Sequence, residues 1–322
     1  MKRAIGGSFV CVLWILLILV TRFCAAQGQE PKSSKEEGSV SRLDDTTQVR
    51  EVLLSSPKHE ELPRPRFQDM LTNVPGDWWT SGKVVMESRT LPYIAGVGVT
   101  TGLLMATDKQ TNGFSRRMMA SSPAVSNASS AFVRLGDGKM HLALAAGFAL
   151  YGLIQDDTRS IRAGSQTVEA LLACGIAVQT MKRITGRESP QAATSDHGVW
   201  RFFPNLRTYQ RHQTRYYSFP SGHIATTMAT GTVISENYPE VSWIRPVGYS
   251  IVGCLGVSLV DVGYHWYSDL PLGIAMGYMF GMIASHHEDS LFAFLGNDPY
   301  SGLEVLPAVT REGTGITLAL LF

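Results

Sequence analysis

The chain has 322 residues, 44% of them hydrophobic and 17% charged, and a formal net charge of +1. That near-neutral balance supplies no electrostatic basis for binding nucleic acid. A mean hydropathy of +0.03 is low for a chain made wholly of membrane spans and high for an ordinary soluble one, so it excludes neither.

In chain order, Lys2 and Arg3 precede an apolar run from Phe9 to Val20, and Cys24-Ala25-Ala26 offers small residues for cleavage. Residues 1–26 therefore read as a secretory signal, with a retained single-span anchor as the alternative. Either way, the remainder is expected to be exported, periplasmic or membrane-associated. Residues 27–66 are charged in both signs and poor in aromatics, the composition of a flexible leader. Order is expected from Phe67, where FQDMLTNVPGDWWT brings apolar and aromatic anchors.

Six apolar stretches follow: LPYIAGVGVTTGLLMAT, LALAAGFALYGLIQ, ALLACGIAVQTM, IATTMATGTVIS, PVGYSIVGCLGVSLV and LPLGIAMGYMFGMIAS. Each is shorter than the roughly 20 residues that span a bilayer. All are rich in small residues that let helix backbones approach closely. The expectation is an all-α bundle over 67–290, peripheral to a membrane or partly embedded, with full integration as the alternative. The tail, 291–322, reads as a strand or hairpin because EVLPAVTREGTGITLALLF places a Gly-rich turn in a β-favouring run. Of the four cysteines, Cys174 and Cys254 lie in apolar helical runs and read as buried free thiols. Nothing has metal-ligand spacing.

Three polar clusters stand at the ends of these helices. MKRITGRESPQ carries Lys182, Arg187 and Ser189-Pro190; FPSGH carries Ser221, Gly222 and His223; VDVGYHWYSD carries His265 and Asp269. A helix N-terminus offers unpaired N–H groups and a positive dipole end to an anion. There Ser221 adds a hydroxyl, Gly222 permits close approach, and His223 can protonate a leaving oxygen. His265 and Asp269, four apart, would share one helix face, the carboxylate fixing the imidazole tautomer and freeing the other nitrogen to attack. Lys182 and Arg187 would neutralise an oxyanion. Each cluster has a bland reading: a structural histidine, a surface hydrogen bond, dipole compensation. Together they describe phosphoryl transfer through a phosphohistidine.

The clusters resemble the three signature motifs of the type 2 phosphatidic acid phosphatase (PAP2) and vanadium haloperoxidase superfamily. Pro220–His223 matches the middle motif, Ser258, His265 and Asp269 the third, and Lys182 and Pro190 the first. The resemblance covers about residues 90 to 286. It implies a six-helix core and a phosphatase needing no metal or other cofactor, acting on a phosphorylated lipid or small phosphate ester. It makes His265 the nucleophile, Asp269 its orienter and His223 the general acid, with Lys182, Arg187, Ser221 and Gly222 holding phosphate. Two positions depart from the pattern: Ser189 and Leu259 stand where the motifs carry arginine. That opens a second reading, a catalytically silent binder of phosphate or lipid headgroups. It argues against a vanadate-dependent haloperoxidase, which needs more positive charge. Arg187, or Arg201, Arg207, Arg211 and Arg215 in the following loop, are the candidates to replace the missing cations.

Overall fold

The computed structural model describes residues 64–296, 303–310 and 313–320. The expected signal or anchor, and the leader up to residue 63, lie outside the described residues. The chain divides into two units, Met1–Arg64 and Pro65–Phe322, and every described helix and strand belongs to the second.

Ten α-helices occur among the described residues: α1 Asp69–Thr72, α2 Val74–Met86, α3 Leu91–Ser121, α4 Pro123–Leu135, α5 Gly138–Gln155, α6 Thr158–Thr185, α7 Leu206–Arg211, α8 Gly222–Asn237, α9 Ile244–Asp261 and α10 Leu270–Gly296. The six apolar stretches fall one each in α3, α5, α6, α8, α9 and α10, so the molecule is the all-α bundle its sequence describes. Two of these helices outrun their apolar stretches. α3 passes through the polar Asp108–Gln110 to Ser121, and α10 continues to Gly296, because neither extension contains a proline to stop it. Two strands, β1 Leu303–Thr310 and β2 Gly313–Leu320, pair antiparallel from Leu303↔Leu320 to Thr310↔Gly313, the hairpin expected of the tail.

Helix starts follow local chemistry. The Asp137 carboxylate accepts from Lys139 N–H at 3.0 Å to cap α5, and Asp157 does the same for α6 from Arg159 N–H at 3.0 Å. α8 lies at the centre, touching α5, α6, α9 and α10. Its first turns supply Ile224 and Met228 to a core with Val252, Leu255 and Leu259 of α9. On another side Ala225 joins Cys174 and Val178 of α6 and Phe280 of α10. Fully burying a side chain such as Ile224 contributes about 1.5–3 kcal/mol. The closest approach is between α8 and α10: a Cβ on Gly277 would stand 2.3 Å from the Ala225 carbonyl oxygen. Only glycine allows these two backbones to meet.

Two findings concern the outer surface. Cys174 is buried but Cys254 is exposed, and both are free. This corrects the expectation of two buried thiols: α9 turns Val252, Leu255 and Leu259 inward, leaving Cys254 on its outer face beside Ile251. Segments Ser88–Met118 and Ile244–Asp261 are long and apolar enough to cross a membrane. On α3, Val99 and Leu103 are 62% and 68% exposed, a lipid-like face rather than a water-like one.

Candidate active site

α6 ends at Gly186, whose φ of +53° is the left-handed conformation of a helix C-cap. A Cβ there would fall 2.0 Å from the Arg201 carbonyl oxygen. The backbone beyond it is held from three directions. Glu188 N–H donates to Val199 O at 3.0 Å, Ser189 N–H to Thr214 O at 2.9 Å, and Gln191 N–H to Gly263 O at 3.1 Å. The first cluster is thus tied to the loop before α8 and to the segment after α9.

At the centre of this junction Arg187 is completely buried. Its Nη1 donates to Asp269 Oδ1 at 2.5 Å and Ser268 Oγ at 2.7 Å; its Nη2 donates to Asp108 Oδ2 at 2.7 Å and the His197 carbonyl at 2.9 Å. The Trp200 and Trp266 rings lie 4.9 and 5.4 Å from its guanidinium carbon. Arg187 is therefore not a free phosphate ligand, which corrects the sequence expectation. Two fully buried carboxylates need a counter-charge, and a planar guanidinium can serve both at once.

The other carboxylate oxygen of Asp269 accepts from Ser218 Oγ at 2.6 Å and from Trp266 N–H at 2.8 Å. Burial alone would raise this carboxyl, but Arg187, His265 and Ser218 outweigh it and hold its pKa below the usual carboxylate range. His265 is 1% exposed, and its Nδ1 donates to the Ser218 carbonyl at 2.7 Å, with Asp269 Oδ2 at 3.6 Å. A carbonyl has no proton to give, so Nδ1 carries the hydrogen and Nε2 keeps its lone pair. The expectation that His265 and Asp269 share a helix face is corrected here. Gly263, at φ +77°, breaks the chain out of α9, and Asp269 ends a separate 3₁₀ turn, Tyr267–Asp269. Burial pushes the His265 imidazolium pKa below its ordinary value, more than Asp269 restores it, so the ring is neutral and basic at Nε2.

Facing it is the start of α8. Ser221 caps this helix, accepting weakly from Ile224 N–H at 3.5 Å, and its own N–H donates to Asp269 O at 3.0 Å. The His223 ring lies edge-on to His265 with centroids 6.2 Å apart. Lys182 is buried beside them: a Cβ on Gly222 would sit 3.6 Å from its Nζ, which lies 5.0 Å over the Tyr217 ring. It makes no ion pair among the described residues, and burial draws its pKa down to about 8. Burial, then the nearby His265 and Lys182, pushes His223 down to about 4. Lys182 thus supplies the positive charge beside the two imidazoles.

The structure brings Lys182, Ser221, Gly222, His223, His265 and Asp269 together and assigns Arg187 a supporting place behind them. Of the loop arginines, Arg201 is paired with Glu188 at 2.6 Å. Leu259 is fully buried in the α8–α9 core and supplies no cation to the seat. Sequence reasoning missed Asp108, Ser218, Ser268 and the two tryptophans around Arg187. Asp108 had a signal, being the first charge to interrupt a long apolar run; the Ser218 carbonyl, a backbone atom, had none.

Fold and site together define a helical protein with two facing imidazoles beside a buried lysine. Residues 164–290, a stretch that holds all three clusters, match the PAP2 superfamily. Among curated proteins, it is 34% identical over 98 residues to a lipid A 1-phosphatase of Porphyromonas gingivalis, covering 30% of this chain and 21% of that protein. It is 27% identical over 125 residues to a lipid A 1-phosphatase of Rhizobium etli, covering 38% and 49%. The chain thus spans less than half the length of these relatives. A solved transmembrane PAP2-type phosphatidylglycerolphosphate phosphatase from Bacillus subtilis superposes with a TM-score of 0.44 at 14% identity, covering 59% of this chain and 92% of that one.

Proposed function

We propose that the protein is a phosphatase of phosphate monoesters or diphosphates, acting on phosphorylated lipids through a phosphohistidine. The observation that carries this reading is the meeting of the half-buried His223 with the buried His265 and Lys182. His265 Nε2 attacks phosphorus, and the bond from phosphorus to the leaving oxygen breaks as His223 protonates that oxygen. Water then attacks the phosphohistidine, giving its proton to His223, and inorganic phosphate leaves. Lys182 and the first N–H groups of α8 hold the anionic oxygens. A bound phosphate places negative charge beside His223, which opposes the repulsion from Lys182 and favours the protonated ring the first step needs. The lipid-like face of α3 and the lipid substrates named for the relatives support an embedded enzyme whose substrate is a membrane phospholipid or phosphorylated glycolipid. In this reading the site opens on the non-cytoplasmic side.

The test is turnover of phosphatidate, a polyprenyl diphosphate, lipid A 1-phosphate and an aryl phosphate by purified protein in detergent. Phosphate release from at least one, an acid-labile phosphoenzyme, and loss of both in His265→Ala are expected. The second reading, a silent binder of phosphate headgroups, is favoured by Arg187 being engaged and Leu259 being core. Four intact substrates, and a His265→Ala variant indistinguishable from the parent, would select it.

A further inference from the structure

The loop between α6 and α8 is fastened at both ends and at Thr214, and exposes apolar and basic side chains between these ties. Arg201 N–H donates to Gly186 O at 3.1 Å, Phe203 N–H to Ile184 O at 3.1 Å, and Ser218 N–H to Arg187 O at 3.0 Å. Between these ties, Phe202 and Phe203 are 62% and 76% exposed, and Leu206 is exposed beside them. Phe203 holds φ at +51°, a conformation that a bulky residue adopts at a cost, and it presents its ring to the outside. Arg207 and Arg211 lie one turn apart on α7, and Arg215 follows in the 3₁₀ turn Gln213–Arg215. All three are exposed and make no ion pair among the described residues. Arg183, exposed at the end of α6, stacks on Tyr209 of the same helix α7, with 5.1 Å from guanidinium carbon to ring centroid. No acidic residue occurs between Asp196 and Glu236.

An exposed aromatic pair beside uncompensated arginines fits one environment: the boundary of a bilayer whose headgroups carry negative charge. Phenyl rings enter the acyl region while guanidinium groups stay at phosphate depth. We propose that residues 202–215 form an anionic-lipid-binding surface at the rim of the site, with Phe202 and Phe203 as anchors and Arg207, Arg211 and Arg215 as headgroup ligands. This holds whether or not the site turns over. An acidic protein would satisfy the arginines but gives no reason for Phe203 to stand in a left-handed conformation facing outward.

The experiment is backbone hydrogen exchange of residues 201–216 in the full chain. It compares nanodiscs of phosphatidylcholine alone with nanodiscs containing phosphatidylglycerol. Each arginine near an anionic leaflet contributes about fivefold in surface affinity. Exchange is expected to slow by about tenfold or more in the anionic discs, and the slowing should fade as salt rises. The triple variant Arg207→Gln/Arg211→Gln/Arg215→Gln should lose this difference while exchange in α6 and α8 stays unchanged. Equal exchange in the two discs would overturn the proposal. So would protection equal in both discs and lost only in Phe202→Ser/Phe203→Ser, which would mark apolar dipping without headgroup recognition. Protection by soluble polyglutamate as strong as by the anionic discs would also overturn it, in favour of an acidic protein.

Discussion

At the residue scale the decisive feature is which cations are engaged and which are not. Arg187 has both carboxylates of the junction to itself, and truncating it leaves Asp108 and Asp269 buried and unpaired. Arg187→Gln should cost about 3–5 kcal/mol of stability in chemical denaturation. Arg187→Lys should not rescue it, because a point charge cannot span two carboxylates. Lys182 is the opposite case, an ammonium left for a ligand. Its pKa of about 8 means the seat is cationic below that pH and loses charge above it. Calorimetric affinity for inorganic phosphate should therefore fall as pH rises through about 8, and Lys182→Arg should remove the fall. Leu259→Arg, which restores the residue type the motif carries, should destabilise the fold by about 3 kcal/mol or more without raising turnover, since it places an unpaired charge in an apolar core. His223→Ala should slow alkyl phosphates by about 10²–10⁴-fold and aryl phosphates far less, because an aryl oxide leaves without a proton. Equal losses on both would remove His223 from the general-acid role.

At the element scale the site is the product of two helix ends and a broken helix. The α8 N-terminus was legible in the sequence because Ser221 caps, Gly222 opens and apolar residues follow. The third cluster was legible as chemistry but not as geometry. An i,i+4 spacing suggests a helix face, whereas Gly263 ends α9 and the Ser218 carbonyl becomes the direct partner of His265. Spacing rules assume continuous helix, and only the path of the chain says whether it continues. The α8–α10 contact gives a paired prediction. Gly277→Val should cost about 1–3 kcal/mol by forcing the two backbones apart. Gly231→Ala on α8, with nothing within 4 Å of the added methyl, should be neutral or stabilise by up to about 1 kcal/mol. Thermal melts of the two variants check the contrast.

At the scale of the whole molecule, the question is how the bundle meets a membrane. The apolar stretches were short by the usual span length, which favoured a peripheral or partly embedded bundle. In the structure α3 runs 31 residues, and its apolar face looks outward rather than into the core. Apolar side chains that no protein covers are stable only against lipid or a partner. Fractionation of the expressed chain should accordingly need detergent for release; recovery in high salt or carbonate alone would count against embedding.

The amino-acid sequence by itself determined the helical class, the six apolar segments and the residue types of the three polar clusters. Those depend on local composition, capping and residue chemistry, which act over a few positions. Only the tertiary structure decided that Arg187 is a buried counter-ion, that Leu259 is core and that Asp108 completes the junction 161 residues away from Asp269. A cation's role is set by which carboxylates share its low-dielectric surroundings, and that depends on how distant segments pack.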